Sequence, residues 1–243
     1  MEFNRIFITI LLLFIGIFLL IISFHKLKRK RLIEGLATSK IRSLAMGLVE
    51  IFGKVELIKK FSSPFSKTDC VYCRYTIEEY RQQGKSSSWV MIKNGILKEN
   101  FYLKDATGKV LVDPTKAEFD IPMNFETRAL SPNIQKFLEA SNIKHTTFFG
   151  LGRKSLRFRE YLIKPNQDLF IIGTAGDNPH IEEGIGIKNE HDIMIQKGND
   201  VFLISDKDEK ALLKSYGWIV GITLVLGVLL TVIGFALGLI QII

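Results

Sequence analysis

The chain has 243 residues, 47% of them hydrophobic, and it carries a formal net charge of +8 at pH 7. With two cysteines in all, it is not a small secreted domain built on several disulfides, and its hydrophobic content makes membrane segments the first feature to seek. No RNP-type strand, zinc-finger spacing or helix-turn-helix pattern accompanies the basic residues, so we do not expect nucleic acid as a partner.

The first apolar run covers residues 6–24 and contains no charged side chain. At about 1.5 Å per residue, a helix of this length reaches roughly 28 Å, enough to cross the hydrocarbon core of a bilayer. A cleaved signal peptide has its basic residues before the apolar run, whereas here they follow it, so we predict a retained transmembrane helix. Five side chains of the basic juxtamembrane segment, residues 25–37, are expected to contact anionic lipid headgroups: Lys26, Lys28, Arg29, Lys30 and Arg31.

Residues 38–205 lie between the two apolar runs and are enough for one domain. Alternating apolar and polar residues predict a strand over 47–57, and aromatic and β-branched residues predict one long strand over 70–80. Residues 82–88 are expected to form the polar turn that follows it. Further strands are predicted over 156–163, 168–173, 192–196 and 201–204.

The clearest local pattern predicts a β-hairpin over residues 100–114, with Gly108 supplying the positive φ of its turn. Ser131 and Pro132 are typical of a helix start, so a short helix is predicted over 133–140. Ser205 is the predicted N-cap of a juxtamembrane helix over 206–216. Eight or nine strands and one or two short helices indicate a mainly β domain, an antiparallel barrel or sandwich, between two transmembrane α-helices.

The second apolar run, residues 217–241, is the second predicted transmembrane helix. Small residues recur on one face of it and let another helix approach closely. Packing against the first span, homo-oligomerisation and a glycine-rich span without a partner are the three alternatives for this face. Its members are Gly227, Thr231, Gly234 and Gly238.

The charges near the ends of the two spans predict the topology. Five basic residues follow the first span, and Lys207, Lys210 and Lys214 precede the second, whereas the outer ends offer Arg5. By the positive-inside rule, we expect a multi-pass protein whose central domain is cytoplasmic and whose termini are both outside. The lysine- and isoleucine-rich composition favours the plasma membrane of a prokaryote.

Cys70 and Cys73 have the spacing of half a zinc site. Within one continuous strand, positions three apart point to opposite faces, so we predict two partly buried thiols and no metal. The four histidines are scattered along the sequence, and no nucleophile elbow accompanies them. We therefore predict no catalytic residue, no cofactor and no metal. The histidines are His25, His145, His180 and His191.

Several short motifs follow one another in the order found in a known family. They are residues 47–55, 63–66 and 70–75, the hairpin 101–114, the pair Arg159-Glu160 and residues 168–175. With these motifs between two spans, the chain resembles the GIDE family of beside-a-membrane (BAM) domain proteins, which includes mitochondrial E3 ubiquitin ligases. The residues that carry the resemblance are Gly53, Ser63, Pro64, Cys70, Tyr75, Asp105, Gly108, Asp113, Pro114, Glu160 and Gly173.

The resemblance implies a ubiquitin-protein transferase, but the eukaryotic ligases carry that activity in a zinc-binding RING finger after the second span. The second apolar run extends almost to Ile243 and the sequence contains two cysteines, so we expect no RING finger. The mitochondrial relatives hold the domain in the intermembrane space, whereas the charge distribution of this chain predicts a cytoplasmic one.

Three functions are compatible with these features. The leading hypothesis is a non-catalytic module that binds a cytoplasmic protein, a peptide or a lipid partner at the membrane surface. A ligase-like transferase is the alternative that the resemblance implies. A structural membrane organiser, acting through the glycine-faced second span, is the third.

Overall fold

The computed structural model describes residues 2–59, 61–144, 154–178 and 193–242, and it divides the chain into two units. One unit contains two long helices, α1 (Glu2–Glu34) and α3 (Glu209–Ile242), and the other spans Thr38–Asp206. By length and composition, both helices can cross a membrane. The basic residues that follow the first apolar run belong to α1 itself, because that helix continues without a break to Glu34.

The small residues of the second span lie against α1. A Cβ built on Gly227 would be 3.0 Å from the Leu20 side chain, and one on Gly234 would be 2.9 Å from Leu13. The Thr231 hydroxyl donates a hydrogen bond to the Gly227 carbonyl at 2.7 Å, which satisfies a polar group inside the helix pair. The small side chains thus allow close approach of the two backbones.

The same contact extends toward both ends of the pair. A Cβ on Gly238 would lie 3.5 Å from Thr9, and the Ser23 hydroxyl donates to the Val220 carbonyl at 3.2 Å. Within the helix pair, the glycine face therefore has a partner in the same chain. Homo-oligomerisation through this span stays a prediction.

The second unit is mainly β, as predicted, and its described residues include a short 3-10 helix at Ile41–Ser43 and one α-helix, α2, at Pro132–Ala140. Ser131 caps α2 and Pro132 is its first residue, which confirms the predicted helix start. The described strands are β1 (Gly47–Leu57), β2 (Phe61–Ser62), β3 (Asp69–Cys70), β4 (Tyr72–Gln83), β5 (Ser86–Lys98), β6 (Phe101–Lys104), β7 (Lys109–Val112), β8 (Glu118–Asp120), β9 (Phe125–Thr127), β10 (Leu156–Ile163), β11 (Asp168–Asp177), β12 (Ile193–Gln196) and β13 (Leu203–Ser205).

Five strands close into a barrel in the ring order β1-β6-β7-β12-β11, and β11 pairs back onto β1. All the pairings of this ring are antiparallel except that of β7 with β12, so the antiparallel prediction holds with one exception in the ring. The parallel pair β8–β13 extends the sheet beyond β11. Apolar side chains that include Ile51, Phe101 and Ile171 fill the barrel.

A second sheet has the order β5-β4-β10-β9 and is built from two insertions into the barrel. β4 and β5 lie in sequence between the first two barrel strands, and β9, α2 and β10 lie between β7 and β11. Its own apolar cluster joins one face of the sheet to α2. This sheet therefore has a core separate from that of the barrel.

Two turns differ from their predictions. β4 continues to Gln83 and β5 begins at Ser86, so the predicted turn over 82–88 is a two-residue loop with Gly84 at φ +62° in its first position. The hairpin β6–β7 forms as predicted, but Gly108 does not adopt a positive φ. Its loop is held instead by the Asp105 carboxylate, which accepts hydrogen bonds from the Thr107 and Gly108 amides at 2.6 and 2.9 Å.

The Asp105 carboxylate also joins two segments, because its second oxygen accepts the Ile41 amide at 3.0 Å. Burial raises the pKa of Asp105, but the hydrogen bonds from Ile41, Thr107 and Gly108 outweigh that effect and lower it. This side chain therefore acts as a structural acceptor.

The predicted cap of the last helix is also wrong. Ser205 is the final residue of β13, and α3 begins at Glu209. The Asp208 carboxylate accepts the Ala211 amide at 2.8 Å, as an N-cap does. Three of the histidines, His145, His180 and His191, and Asp192 at the start of a predicted strand lie outside the described residues.

Candidate binding surface

Side chains alternate along each strand of the second sheet, so one face packs against α2 and the other, among the described residues, carries exposed side chains. On β10, Leu156 and Phe158 are buried in the cluster that contains Ile134 of α2. Arg157 and Arg159 point to the other side and are partly exposed. We use the names inner face and outer face for these two sides.

A buried carboxylate fixes a loop against the inner face. Glu160 is fully buried, and one of its oxygens accepts the Phe65 amide at 2.6 Å. The other oxygen accepts the Ser63 hydroxyl at 3.1 Å, the Ser66 amide at 3.1 Å and the Ser66 hydroxyl at 2.6 Å. Four donors compensate the cost of burying this charge. Two motifs of the resemblance, residues 63–66 and Glu160, therefore form one structural unit.

The loop places an aromatic ring in the centre of the inner face. Phe65 makes edge-to-face contacts with Tyr75, Phe137 and Phe158, at centroid distances of 5.3–5.6 Å. The Tyr75 ring covers Gly95 of β5 so closely that a Cβ at that glycine would overlap it. Burial raises the pKa of Tyr75. Pro64 is likewise buried within the loop.

The prediction that Cys70 and Cys73 point to opposite faces is wrong. β3 ends at Cys70 and β4 begins at Tyr72, so the backbone bends at Val71 and the alternation of side chains is interrupted. Both thiols are free and fully buried in the inner-face cluster. A hydrogen bond with Cys70, burial and the nearby Glu160 charge all raise the pKa of Cys73, which makes it an unreactive thiol.

Two motif glycines allow close packing in the barrel. A Cβ on Gly53 would lie 2.5 Å from the Lys104 carbonyl oxygen, and one on Gly173 would lie 2.7 Å from Ile195. Each position therefore excludes larger side chains. The remaining motif residues, Asp113 and Pro114, follow β7, where the Asp113 carboxylate accepts the Thr115 amide at 2.9 Å.

A groove of about 490 Å³ lies at this part of the barrel and is lined by residues that include Gly53 and Asp105. Its charged side chains are largely paired with each other: Lys54 lies 3.3 Å from Asp168, and Glu56 accepts a hydrogen bond from Lys109 at 3.1 Å. That hydrogen bond lowers the pKa of Glu56. The groove thus offers little unpaired charge to a ligand.

The outer face centres on Arg157. Its Nε atom lies 2.6 Å from the Glu78 carboxylate, and its Nη2 atom contacts the same carboxylate. The guanidinium group also lies 4.3 Å from the centroid of the Trp89 ring, and that of Arg128 lies 5.0 Å from it. An acidic and an aromatic side chain thus hold the arginine in one orientation.

Two further pairs complete the outer face. The Arg74 guanidinium lies 4.0 Å from the Tyr161 ring centroid, and Arg159 Nε lies 2.6 Å from Glu126. The hydrogen bond from Arg159 lowers the pKa of Glu126, and the same bond raises the pKa of Arg159. Four arginines therefore share this surface with two glutamates.

Exposed apolar side chains flank the charged groups. Tyr80, Met91 and Ile96 are 47%, 54% and 56% exposed, and the pairing of β4 with β5 places them on the outer side. Arginine, tryptophan and tyrosine are the residues most enriched in binding hot spots. The arginine–aromatic face comprises Arg74, Glu78, Tyr80, Trp89, Met91, Ile96, Glu126, Arg128, Arg157, Arg159 and Tyr161.

This face was not predicted from the sequence. Its local signal is the alternation Arg157, Arg159, Tyr161, which places three polar or aromatic side chains on one side of a strand. The ion pair of Arg157 with Glu78 joins distant segments, and without the strand pairing it cannot be read from the sequence.

The predicted headgroup residues lie near the C-terminal end of α1. Lys26 Nζ and the Arg29 guanidinium lie 5.5 and 5.8 Å from the Tyr216 ring centroid, and Lys30 pairs with Glu34 at 2.8 Å. The structure therefore brings the cluster together on one helix. Two of its members are exposed: Lys28 and Arg31.

Within the described residues, no group of three or more histidine, cysteine, aspartate or glutamate side chains could hold a metal ion.

A family model described as GIDE, E3 ubiquitin ligase, matches residues 73–239. Neither a curated protein nor a solved structure matches the chain. The matched region runs from β4 into α3 and includes the second sheet, α2, four of the five barrel strands and most of the second apolar helix. Because it covers more than half of the sequence, the chain belongs to the GIDE family.

Proposed function

We propose that this protein is a membrane-anchored binding module that holds an acidic segment of a cytoplasmic protein on its arginine–aromatic face. The observation that carries the proposal is the open outer face, where oriented arginines alternate with aromatic rings. The four arginines exceed the two glutamates by two positive charges, which favours an acidic partner over a basic one.

The shape of the outer face favours a protein or peptide over a small-molecule substrate. Its side chains lie on a sheet surface rather than in an enclosed cavity, and the charged groups are already held in place by neighbours. Such preorganisation lowers the entropy cost of binding a flexible segment. We infer a non-catalytic role from this arrangement.

Site-specific photo-crosslinking in cells tests the proposal. We expect p-benzoylphenylalanine in place of Asn94, which is exposed on the outer face, to give a discrete protein adduct. The matched control replaces Glu139, which is exposed on α2. Trp89→Ala and Arg74→Ala should weaken the adduct, since hot-spot truncations cost about 2 kcal/mol or more. Equal adducts from Asn94 and Glu139, or none from either, would contradict the proposal.

We further propose that the domain is cytoplasmic, on the basis of the basic residues beside the spans, and that the membrane is the plasma membrane of a prokaryote, on the basis of the lysine- and isoleucine-rich composition. Because Cys70 and Cys73 are buried, native thiols cannot report the topology. Two cysteine variants can report it instead: Lys136→Cys, on the exposed side of α2, and Ile243→Cys. A membrane-impermeant maleimide added to intact cells should label Ile243→Cys and not Lys136→Cys, and the reverse pattern would refute the orientation.

The description of the matched family supports one competing function, a ubiquitin-protein ligase-like transferase. A conjugation assay with purified protein, with and without a zinc chelator, separates the two proposals. Chelator-sensitive conjugation would favour the transferase.

A further inference from the structure

The helix pair contains an apolar groove of about 850 Å³ in the half of α3 nearest to its first residue. The groove ends at charged side chains on one side and continues along the apolar part of α3 on the other. Residues that line it include Lys30, Lys214, Gly217, Trp218, Gly221 and Ile222.

The glycines of α3 divide into a packed set and an open set. A Cβ on Gly227 or Gly234 would press on α1, whereas one on Gly221 would meet no atom within 4 Å. At Gly217 the nearest atom is the Cε atom of Lys30, at 3.7 Å. The groove therefore exists because these two glycines have no side chain to fill the space beside α1.

The groove combines the features of an interfacial lipid site. Lys30 follows the apolar run of α1, Lys214 precedes that of α3, and the exposed Trp218 lies at the start of the α3 run, where tryptophan is enriched at membrane interfaces. Glu34 balances one of the two lysines. Lys26 and Arg29 around Tyr216 add further positive charge to the same end of the helix pair.

We propose that this groove binds one anionic phospholipid. Its phosphate would lie between Lys30 and Lys214, and an acyl chain would lie along Gly217, Gly221 and Ile222. Basic pockets between transmembrane helices are known to bind anionic headgroups. A second copy of the chain fits less well, because a two-fold contact would bring the lysines of one protomer near those of the other. This inference is independent of the arginine–aromatic face.

Fluorescence of Trp218 tests the proposal on the full chain in a Trp89→Phe background, since the chain has two tryptophans. Vesicles contain either brominated phosphatidylglycerol or brominated phosphatidylcholine. We expect stronger quenching by the anionic lipid, with the apparent affinity falling roughly fivefold for each lysine removed in Lys30→Gln and Lys214→Gln. Gly221→Leu should abolish the preference by filling the groove while both lysines remain.

The control variant combines Lys28→Gln and Arg31→Gln, which remove two exposed charges that are expected to face headgroups at the membrane surface but do not line the groove. It should lower the affinity for the anionic lipid less than the removal of Lys30 and Lys214 does. Equal quenching by the two lipids would overturn the proposal in favour of general surface attraction. So would a loss of affinity for the anionic lipid in this control equal to that in the Lys30 and Lys214 variants. A dimer that Gly221→Leu dissociates, without any lipid preference, would overturn it in favour of a second copy. Native mass spectrometry of the unmodified chain with the same two lipids provides an independent measurement if Trp89→Phe does not fold.

Discussion

The inner and outer faces of the second sheet use the same strands for opposite purposes. On β10, Phe158 and Glu160 point inward and are buried, whereas Arg157 and Arg159 point outward and are partly exposed. The inner face buries a charge and surrounds it with donors, while the outer face stacks charges on aromatic rings at the surface. A period of two along one strand thus separates the buried face from the face that we propose binds a partner.

This difference makes the two faces separable by mutation. Substitutions on the inner face should unfold the domain without changing what the folded fraction binds. Substitutions of exposed outer-face residues should change binding and leave the fold largely intact.

Glu160→Ala should have the largest effect, because it leaves four donors around Ser63, Phe65 and Ser66 without their acceptor. We expect a loss of about 3–5 kcal/mol in the free energy of unfolding, as for other broken buried polar networks. Denaturant titration of the full chain in detergent, followed by circular dichroism, measures it. Glu139→Ala on exposed α2 is the control, and comparable losses in both variants would contradict the prediction.

Gly95→Ala should have the next largest effect. The new methyl group would overlap the Tyr75 ring, which Phe65 and Phe137 hold in place. Overpacking of this kind costs about 1–3 kcal/mol. Gly176→Ala is the matched control, because there the nearest atom belongs to the flexible end of the Gln196 side chain. The same titration compares them, and an unchanged midpoint for Gly95→Ala would show that the ring can move.

Arg74→Ala tests the outer face. The residue is exposed and stacks on Tyr161 at 4.0 Å, so its removal should cost only about 0.5–1 kcal/mol of stability. The crosslink from position 94 should nevertheless weaken markedly. A large loss of stability with unchanged crosslinking would reverse the roles assigned to the two faces.

Glu126→Gln should have the smallest effect on stability, and this effect should depend on pH. The bond from Arg159 lowers the pKa of Glu126 in the folded state below its value in the unfolded chain, which is about 4.3. The stabilisation of the fold by the Glu126–Arg159 pair is therefore complete above the pKa that Glu126 has in the unfolded chain. It disappears as the pH falls through the pKa that Glu126 has in the folded state. Melting temperatures of Glu126→Gln and the unmodified chain should differ at pH 7 and converge in acid, and a constant difference would contradict this.

Local patterns predicted much of the fold and little of the surface. The strand over 47–57, the hairpin β6–β7 and the cap of α2 depend on neighbouring residues, and each was predicted from them. The bend at Val71 was missed, because aromatic and β-branched residues run through it without a turn former. That bend is what places both thiols on one face.

The residues of the resemblance are mainly architectural. Gly53, Asp105 and Glu160 make close packing or internal hydrogen bonds, so the sequence motifs indicated the fold and not the proposed binding face. The outer face depends on the registers that pair β4 with β5 and with β10. Those long-range pairings cannot be obtained from local periodicity.

The insertion of the second sheet into the barrel has a consequence for how the chain reaches its native state. β1 pairs with β11, which begins at Asp168, so the barrel cannot close until both insertions have been synthesised. Contacts between residues so far apart in sequence raise the contact order, and domains of high contact order fold slowly. A ribosome still translating this domain therefore carries a β1 edge with no barrel partner, and chaperone demand should peak before β11 emerges.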